Sequence, residues 1–157
     1  MVVGIGNEER GDDGVGVELA RRLAARGWKG ALVAGMIPEN ASREIAAVSP
    51  RTVIAVDAVD MGLPAGSWRV LENEEIASTS FSTHGFSLAL LLRYWKESGL
   101  SRVVVLGVQP SSRAAGRGFS PEVAKTLDLL ERLFSCPDRL PSNLMDHASG
   151  TLPSGPL

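Results

Sequence analysis

The chain has 157 residues, of which 44% are apolar and 22% charged, with a formal net charge of −2. This length and composition predict one domain whose core is stable without disulfides or structural metal ions. Because the charges are balanced, we expect no basic surface that would bind nucleic acid or a membrane. No apolar run reaches the length of a membrane span, no signal peptide is evident, and Cys136 is the single cysteine, so we expect a cytoplasmic protein.

Apolar runs and amphipathic stretches alternate along the chain. The apolar runs predict β-strands at residues 1–5, 30–35, 52 to about 57, 67–71 and 102–108. Helical spacing predicts helices at residues 13–26, 42–48, 86–95 and 121–134. Ser120 followed by Pro121 is a typical start for the last helix. The alternation predicts an α/β fold, a three-layer α/β/α sandwich with a central, largely parallel twisted sheet.

The periodic pattern ends near Cys136, where proline, serine and glycine become frequent. We therefore predict a single domain over residues 1–136. Residues 137–157 are predicted to be an irregular C-terminal tail, because this composition buries too little apolar surface to fold.

The glycine-rich loop at residues 4–16 follows the first strand and contains adjacent aspartates, Asp12 and Asp13. Glycine lets a backbone approach a ligand or another chain closely, and open α/β sheets bind ligands at the carboxyl ends of their strands. Either aspartate can instead cap free N–H groups at the start of the following helix. We predict that Asp12 is the cap and that Asp13 is a functional ligand in a cleft.

Asp57 and His84 also lie at predicted junctions between regular elements and loops. Asp57 falls at or near the end of an apolar strand, and His84 precedes the helix at 86–95. With Asp13 they make two carboxylates and one imidazole, which suits a divalent transition metal with open positions. Each residue could equally bond nearby backbone, and spacing alone does not show that the three meet. His147 lies in the tail, so His84 is the better ligand by position.

Other chemistries find less support in the sequence. The His-Glu-x-x-His signature of zinc peptidases and a glycine-flanked nucleophilic serine are both absent, and Cys136 is given no nucleophilic role. Gly4 and Gly6 begin a dinucleotide-binding fingerprint, but Glu9 stands at its third glycine position, where a carboxylate would repel a pyrophosphate. A nucleotide-binding domain is therefore kept only as the less favoured alternative.

Four motifs together resemble those of the hydrogenase maturation endopeptidases. They occur in that family's order and spacing, and the resemblance extends from residue 1 to about residue 134. The motifs are Gly4-Ile5-Gly6-Asn7 through Gly11-Asp12-Asp13-Gly14-Val15-Gly16, Val56-Asp57-Ala58, Ser82-Thr83-His84 and Gly107-Val108-Gln109-Pro110. Residues 37–40 and 56–66 look most like the branch that serves the formate-hydrogenlyase type of hydrogenase, hydrogenase 3.

The resemblance implies an α/β/α endopeptidase that removes a C-terminal peptide from the precursor of a [NiFe]-hydrogenase large subunit after nickel insertion. The family's nickel-contacting and catalytic positions fall on Asp13, Asp57 and His84, and the family is classed as aspartic-type. Nickel is expected to arrive with the precursor, so the free protein need not hold metal. A non-enzymatic checkpoint protein, which binds the loaded precursor without cutting it, stays open as an alternative.

Overall fold

The computed structural model describes residues 1–71, 80–81, 92–97, 99–100, 102–116 and 118–136. His84 and the predicted tail at 137–157 lie outside these residues, as does most of the predicted helix at 86–95, of which residues 92–95 are described and helical. The strands are β1 (Val2–Ile5), β2 (Ala31–Gly35), β3 (Thr52–Asp60), β4 (Trp68–Leu71), β5 (Ser80–Phe81) and β6 (Arg102–Val108). The described part of the chain contains the helices α1 (Val15–Ala25), α2 (Ser42–Val48) and α3 (Pro121–Ser135), and a helical segment at residues 92–97.

The main sheet has the strand order β2-β1-β3-β6-β4. β1 pairs in parallel with β2 and β3, and β3 pairs in parallel with β6. β4 runs antiparallel to β6 at the edge, and the two-residue β5 pairs antiparallel with the end of β3. The predicted α/β fold with a largely parallel sheet is confirmed.

Helices cover both faces of this sheet. Val53 and Ala55 of β3 belong to an apolar cluster with Ile45 of α2, and the helical segment 92–97 adds Trp95 to the same cluster. Ile54 and Val56 point to the other face, where they belong to a cluster with buried side chains of α1 and α3, namely Val15, Leu19, Leu23, Val123, Leu127, Leu130 and Phe134. The uninterrupted apolar run of β3 follows from burial on both faces.

Helix α1 lies directly against the backbone of the sheet. A Cβ on Gly16 would come within 2.0 Å of the Val56 carbonyl oxygen, and a Cβ on Gly4 within 2.1 Å of the Gly16 carbonyl oxygen. Only glycine, which has no Cβ, permits this close approach. The approach sets the position of the 3₁₀ turn Gly11–Gly14, which directly precedes α1. No helix in the described parts of the chain is long and apolar enough to cross a bilayer.

Candidate active site

Asp13 is held at the carboxyl edge of the sheet by the 3₁₀ turn Gly11–Gly14. Its backbone N–H donates to the Arg10 carbonyl at 3.1 Å, and its Oδ2 accepts a hydrogen bond from the Asn7 N–H at 3.2 Å. The residue is only 3% exposed. The glycine loop therefore folds back over the end of β1 and carries this carboxylate inward.

Asp57 lies inside β3, which continues to Asp60, so the predicted position at the strand end was approximate. The last β1–β3 pair joins Gly4 to Val56, and Asp57 is the first residue past it. β3 extends further because it also pairs with β6 and β5. Asp57 is 1% exposed, and its Oδ1 accepts a hydrogen bond from the Ala58 N–H at 2.8 Å.

Gly6 lies between the two aspartates, and the distances from Gly6 to each of them show that they are close together. A Cβ on Gly6 would lie 1.8 Å from the Asp13 carbonyl oxygen and 3.7 Å from Asp57 Oδ1. The Gly11–Gly14 turn also contacts β3 directly. The structure thus brings Asp13 and Asp57 together at one edge of the sheet, as the sequence predicted, whereas the predicted convergence with His84 concerns a residue outside the described range.

The electrostatics of the pair follow from this burial. Loss of solvent, and next the negative charge of Asp13, raise the pKa of Asp57 from 3.8 to about 8. The Ala58 N–H and the Arg113 guanidinium act in the opposite direction on that pKa. Asp13 Oδ1 and Asp57 Oδ2 are buried and have no hydrogen-bond partner among the described residues. Two unpartnered, inward-facing carboxylate oxygens are the donors that a divalent cation would use.

A complete metal site would need more than these two side chains. Among the described residues, no three His, Cys, Asp or Glu side chains are grouped closely enough to hold an ion. Asp13 and Asp57 fit as two ligands, and the predicted imidazole of His84 would be the third. That role of His84 stays a prediction.

The predicted role of Asp12 as a helix cap was wrong. Neither the 3₁₀ turn nor α1 receives a side-chain cap, and the Asp12 carboxylate instead faces the loop that follows β6. It accepts hydrogen bonds from Ser111 N at 2.8 Å, Ser112 N at 3.0 Å, Ser120 N at 2.7 Å and Ser120 Oγ at 2.9 Å. Asp12 therefore fastens both ends of the 111–120 loop beside the site.

Two polar residues near this edge were given no role at the site by the sequence analysis. Arg113 Nε lies 3.8 Å from Asp13 Oδ1, so a cation flanks the carboxylate pair. Gln109 Oε1 accepts hydrogen bonds from Met61 N at 2.7 Å and Leu63 N at 3.3 Å, which holds the turn after β3. Both residues follow the carboxyl end of β6, and that position was the signal that could have identified them.

Comparison with known proteins gives the chain its family. The family model of HycI, described as hydrogenase maturation protease, matches residues 15–134, most of the chain. The chain belongs to the hydrogenase maturation protease family. The "Hydrogenase 3 maturation protease" of Escherichia coli strain K12 is 37% identical over 109 residues, which cover 68% of this chain and 69% of that protein.

Solved structures of hydrogenase maturation proteases share the fold. The solution structure of the endopeptidase HycI from Escherichia coli superposes with a TM-score of 0.75 at 31% identity, covering 84% of this chain and 86% of that one. The crystal structure of a [NiFe] hydrogenase maturation protease HycI from Thermococcus kodakarensis KOD1 also gives 0.75 at 31% identity, covering 85% and 88%. The resemblance stated from the motifs is therefore confirmed, and the chain is a peptidase by family.

Proposed function

We propose that this hydrogenase maturation protease removes the C-terminal extension of a [NiFe]-hydrogenase large-subunit precursor after nickel insertion, and that it recognises the nickel carried by the precursor. Membership of the family supports the peptidase activity and this class of substrate. The observation that carries the proposed nickel recognition is the buried pair Asp13 and Asp57, each with one carboxylate oxygen that accepts no hydrogen bond from the described residues.

We assign Asp13, Asp57 and His84 to the reacting centre, as contacts of the nickel that the substrate brings. A divalent metal at that place can polarise a scissile carbonyl or lower the pKa of a bound water. The aspartic-type class belongs to the same proposal. Burial and the neighbouring carboxylate raise the pKa of Asp57 to about 8, so Asp57 can hold a proton at neutral pH. Such a pair can supply both an acid and a base.

Weak binding of free nickel is part of this proposal. Two carboxylates and one imidazole form a three-ligand site with open positions, and the thiolates of a loaded precursor are softer, stronger donors for nickel. The protein is therefore expected to purify largely without metal and to bind nickel mainly in the complex with the precursor. We place this reaction in the cytoplasm, where the exposed Cys136 would stay reduced.

The test compares purified precursor with and without inserted nickel, at equal concentrations and with no free metal added. We expect the protein to shorten only the loaded precursor, with the released peptide identified by mass spectrometry. The His84→Ala variant should leave the loaded precursor intact. Equal cleavage of both precursors would refute nickel recognition while keeping the peptidase activity. Binding of the loaded precursor without cleavage would instead support the checkpoint alternative.

A further inference from the structure

The loop between β6 and α3 presents Arg113 to the candidate active site. Asp12 fixes the backbone on either side of this loop through the N–H groups of Ser111, Ser112 and Ser120. Asp12 itself is 1% exposed and adjoins Asp13 in the chain. The base of the Arg113 side chain is therefore anchored within reach of the carboxylate pair, on a loop tied to the same turn that carries Asp13.

Among the described residues, the contact that holds the guanidinium of Arg113 at the site is an ion pair with Asp13. Its Nε is 3.8 Å from Asp13 Oδ1, well beyond the roughly 2.7–2.9 Å of a charge-assisted hydrogen bond. Its Nη2 is buried and has no hydrogen-bond partner in the part of the chain that the structure describes. The side chain keeps 27% of its surface exposed, so it has a path to solvent. An arginine fixed for structural reasons alone would be expected to make paired, bidentate contacts, and Arg113 makes none with the residues that the structure describes.

We propose that Arg113 is a tethered counter-ion, which occupies the cation position beside Asp13 and Asp57 in the free protein and yields it to the nickel of the precursor. The inference deepens the proposed function and rests on it. Arg113 would balance the buried negative charge while the site waits for its substrate. It would also exclude stray divalent ions, which must displace a positive charge before they can reach the carboxylates.

The precursor can overcome this barrier at concentrations at which a free ion binds poorly. Its nickel arrives with ligands of its own, and contacts elsewhere on the precursor hold it at a high effective concentration. The loose geometry of Arg113 then becomes useful, because few hydrogen bonds are broken when the guanidinium swings outward. Selection for carried metal over free metal would thus depend on this arginine as well as on the nickel-contacting residues.

The test measures binding of free Ni²⁺ by chelator competition at pH 9, where protons compete least for the carboxylates. No precursor is present, so the result is independent of whether cleavage occurs. We expect Arg113→Gln to bind Ni²⁺ at least tenfold more tightly than the unmodified protein. Arg113→Lys, which keeps the charge, should stay close to it. Equal or weaker binding by Arg113→Gln would overturn the proposal.

Arg132→Gln is the matched control, because Arg132 is exposed near the far end of α3 and bonds to the Asp128 carbonyl of its own helix. It lies about 18 Å along the helix from Ser120, beyond the distance at which exposed charges act strongly in salt. Its Ni²⁺ affinity should be unchanged. A second measurement follows the Arg113 Nε–H signal by NMR in the unmodified protein while Zn²⁺ is added. Displacement predicts that the signal moves towards that of solvent-exposed arginine, and an unmoved signal at saturating Zn²⁺ would contradict it.

Discussion

Asp12 and Ser120 are joined by two hydrogen bonds, from Ser120 N to Asp12 Oδ1 at 2.7 Å and from Ser120 Oγ to Asp12 Oδ2 at 2.9 Å. Ser120 is also the N-cap of α3, where its Oγ accepts from the Val123 N–H. The turn that carries Asp13 is thereby linked to the start of the last helix. The candidate site and α3 are coupled through this buried carboxylate.

The first prediction is that Asp12→Asn destabilises the protein by about 3 kcal/mol in urea unfolding. An asparagine has only one acceptor oxygen, and its NH₂ group would face N–H donors that the carboxylate now accepts from. Each buried donor left without a partner costs about 1–3 kcal/mol in the free energy of unfolding. Asp128→Asn is the control, since Asp128 is an exposed partner of Arg22 and such pairs contribute about 0–1 kcal/mol. If both changes have similarly small effects, the hydrogen bonds of the Asp12 carboxylate contribute little to the free energy of unfolding.

The second prediction concerns activity without loss of fold. Asp13→Asn and Asp57→Asn should each lower cleavage of loaded precursor at least about 100-fold, the lower range for loss of a general acid or base. Both variants should remain folded, because asparagine keeps an acceptor for Asn7 N or Ala58 N and adds no buried charge. Circular dichroism and a cleavage time course measure the two effects. Unfolding of either variant would point to a structural role for that carboxylate.

The third prediction is a pH dependence of stability in the metal-free protein. Folded Asp57 keeps its proton up to a pKa of about 8, whereas the unfolded chain releases it near 3.8. Its contribution to stability is therefore complete below pH 3.8 and is lost as the pH rises towards 8.

The measurement for this third prediction compares urea unfolding of the unmodified protein with that of Asp57→Asn, which does not titrate at this position. The stability of the variant relative to the unmodified protein should rise between pH 4 and 8 by up to roughly 1.4 kcal/mol per pH unit, then level off. A constant difference across this range would mean that Asp57 titrates normally.

The fourth prediction tests the glycine between the two aspartates. Gly6 has φ of +128° and a Cβ there would lie 1.8 Å from the Asp13 carbonyl oxygen, so Gly6→Ala must displace the turn. We expect a loss of more than about 2 kcal/mol in unfolding free energy, together with loss of cleavage. Gly27→Ala is the control, because Gly27 has φ of +84° with open space around it and should cost only about 1 kcal/mol. Equal effects of the two changes would mean that positive φ alone decides the outcome.

The sequence by itself determined the elements and the edge of the sheet at which the site lies. Apolar runs and helical spacing involve residues that are close together in the chain, so the elements they form can be predicted from the sequence. The structure contains the five predicted strands, and α3 begins after Ser120 as predicted. Parallel strands have their carboxyl ends at one edge of the sheet. The sequence alone therefore predicted that Asp13 and Asp57 lie together at that edge.

Only the tertiary structure decided what each polar group at that edge contacts. Asp12 bonds a residue 108 positions away, and Arg113 approaches Asp13 across a similar separation, so no local pattern records either pairing. A helix-start aspartate looks like a cap in sequence because the nearest free N–H groups belong to its own helix. The folded chain instead brought the N–H groups of a distant loop closer, and burial then raised the pKa of Asp57.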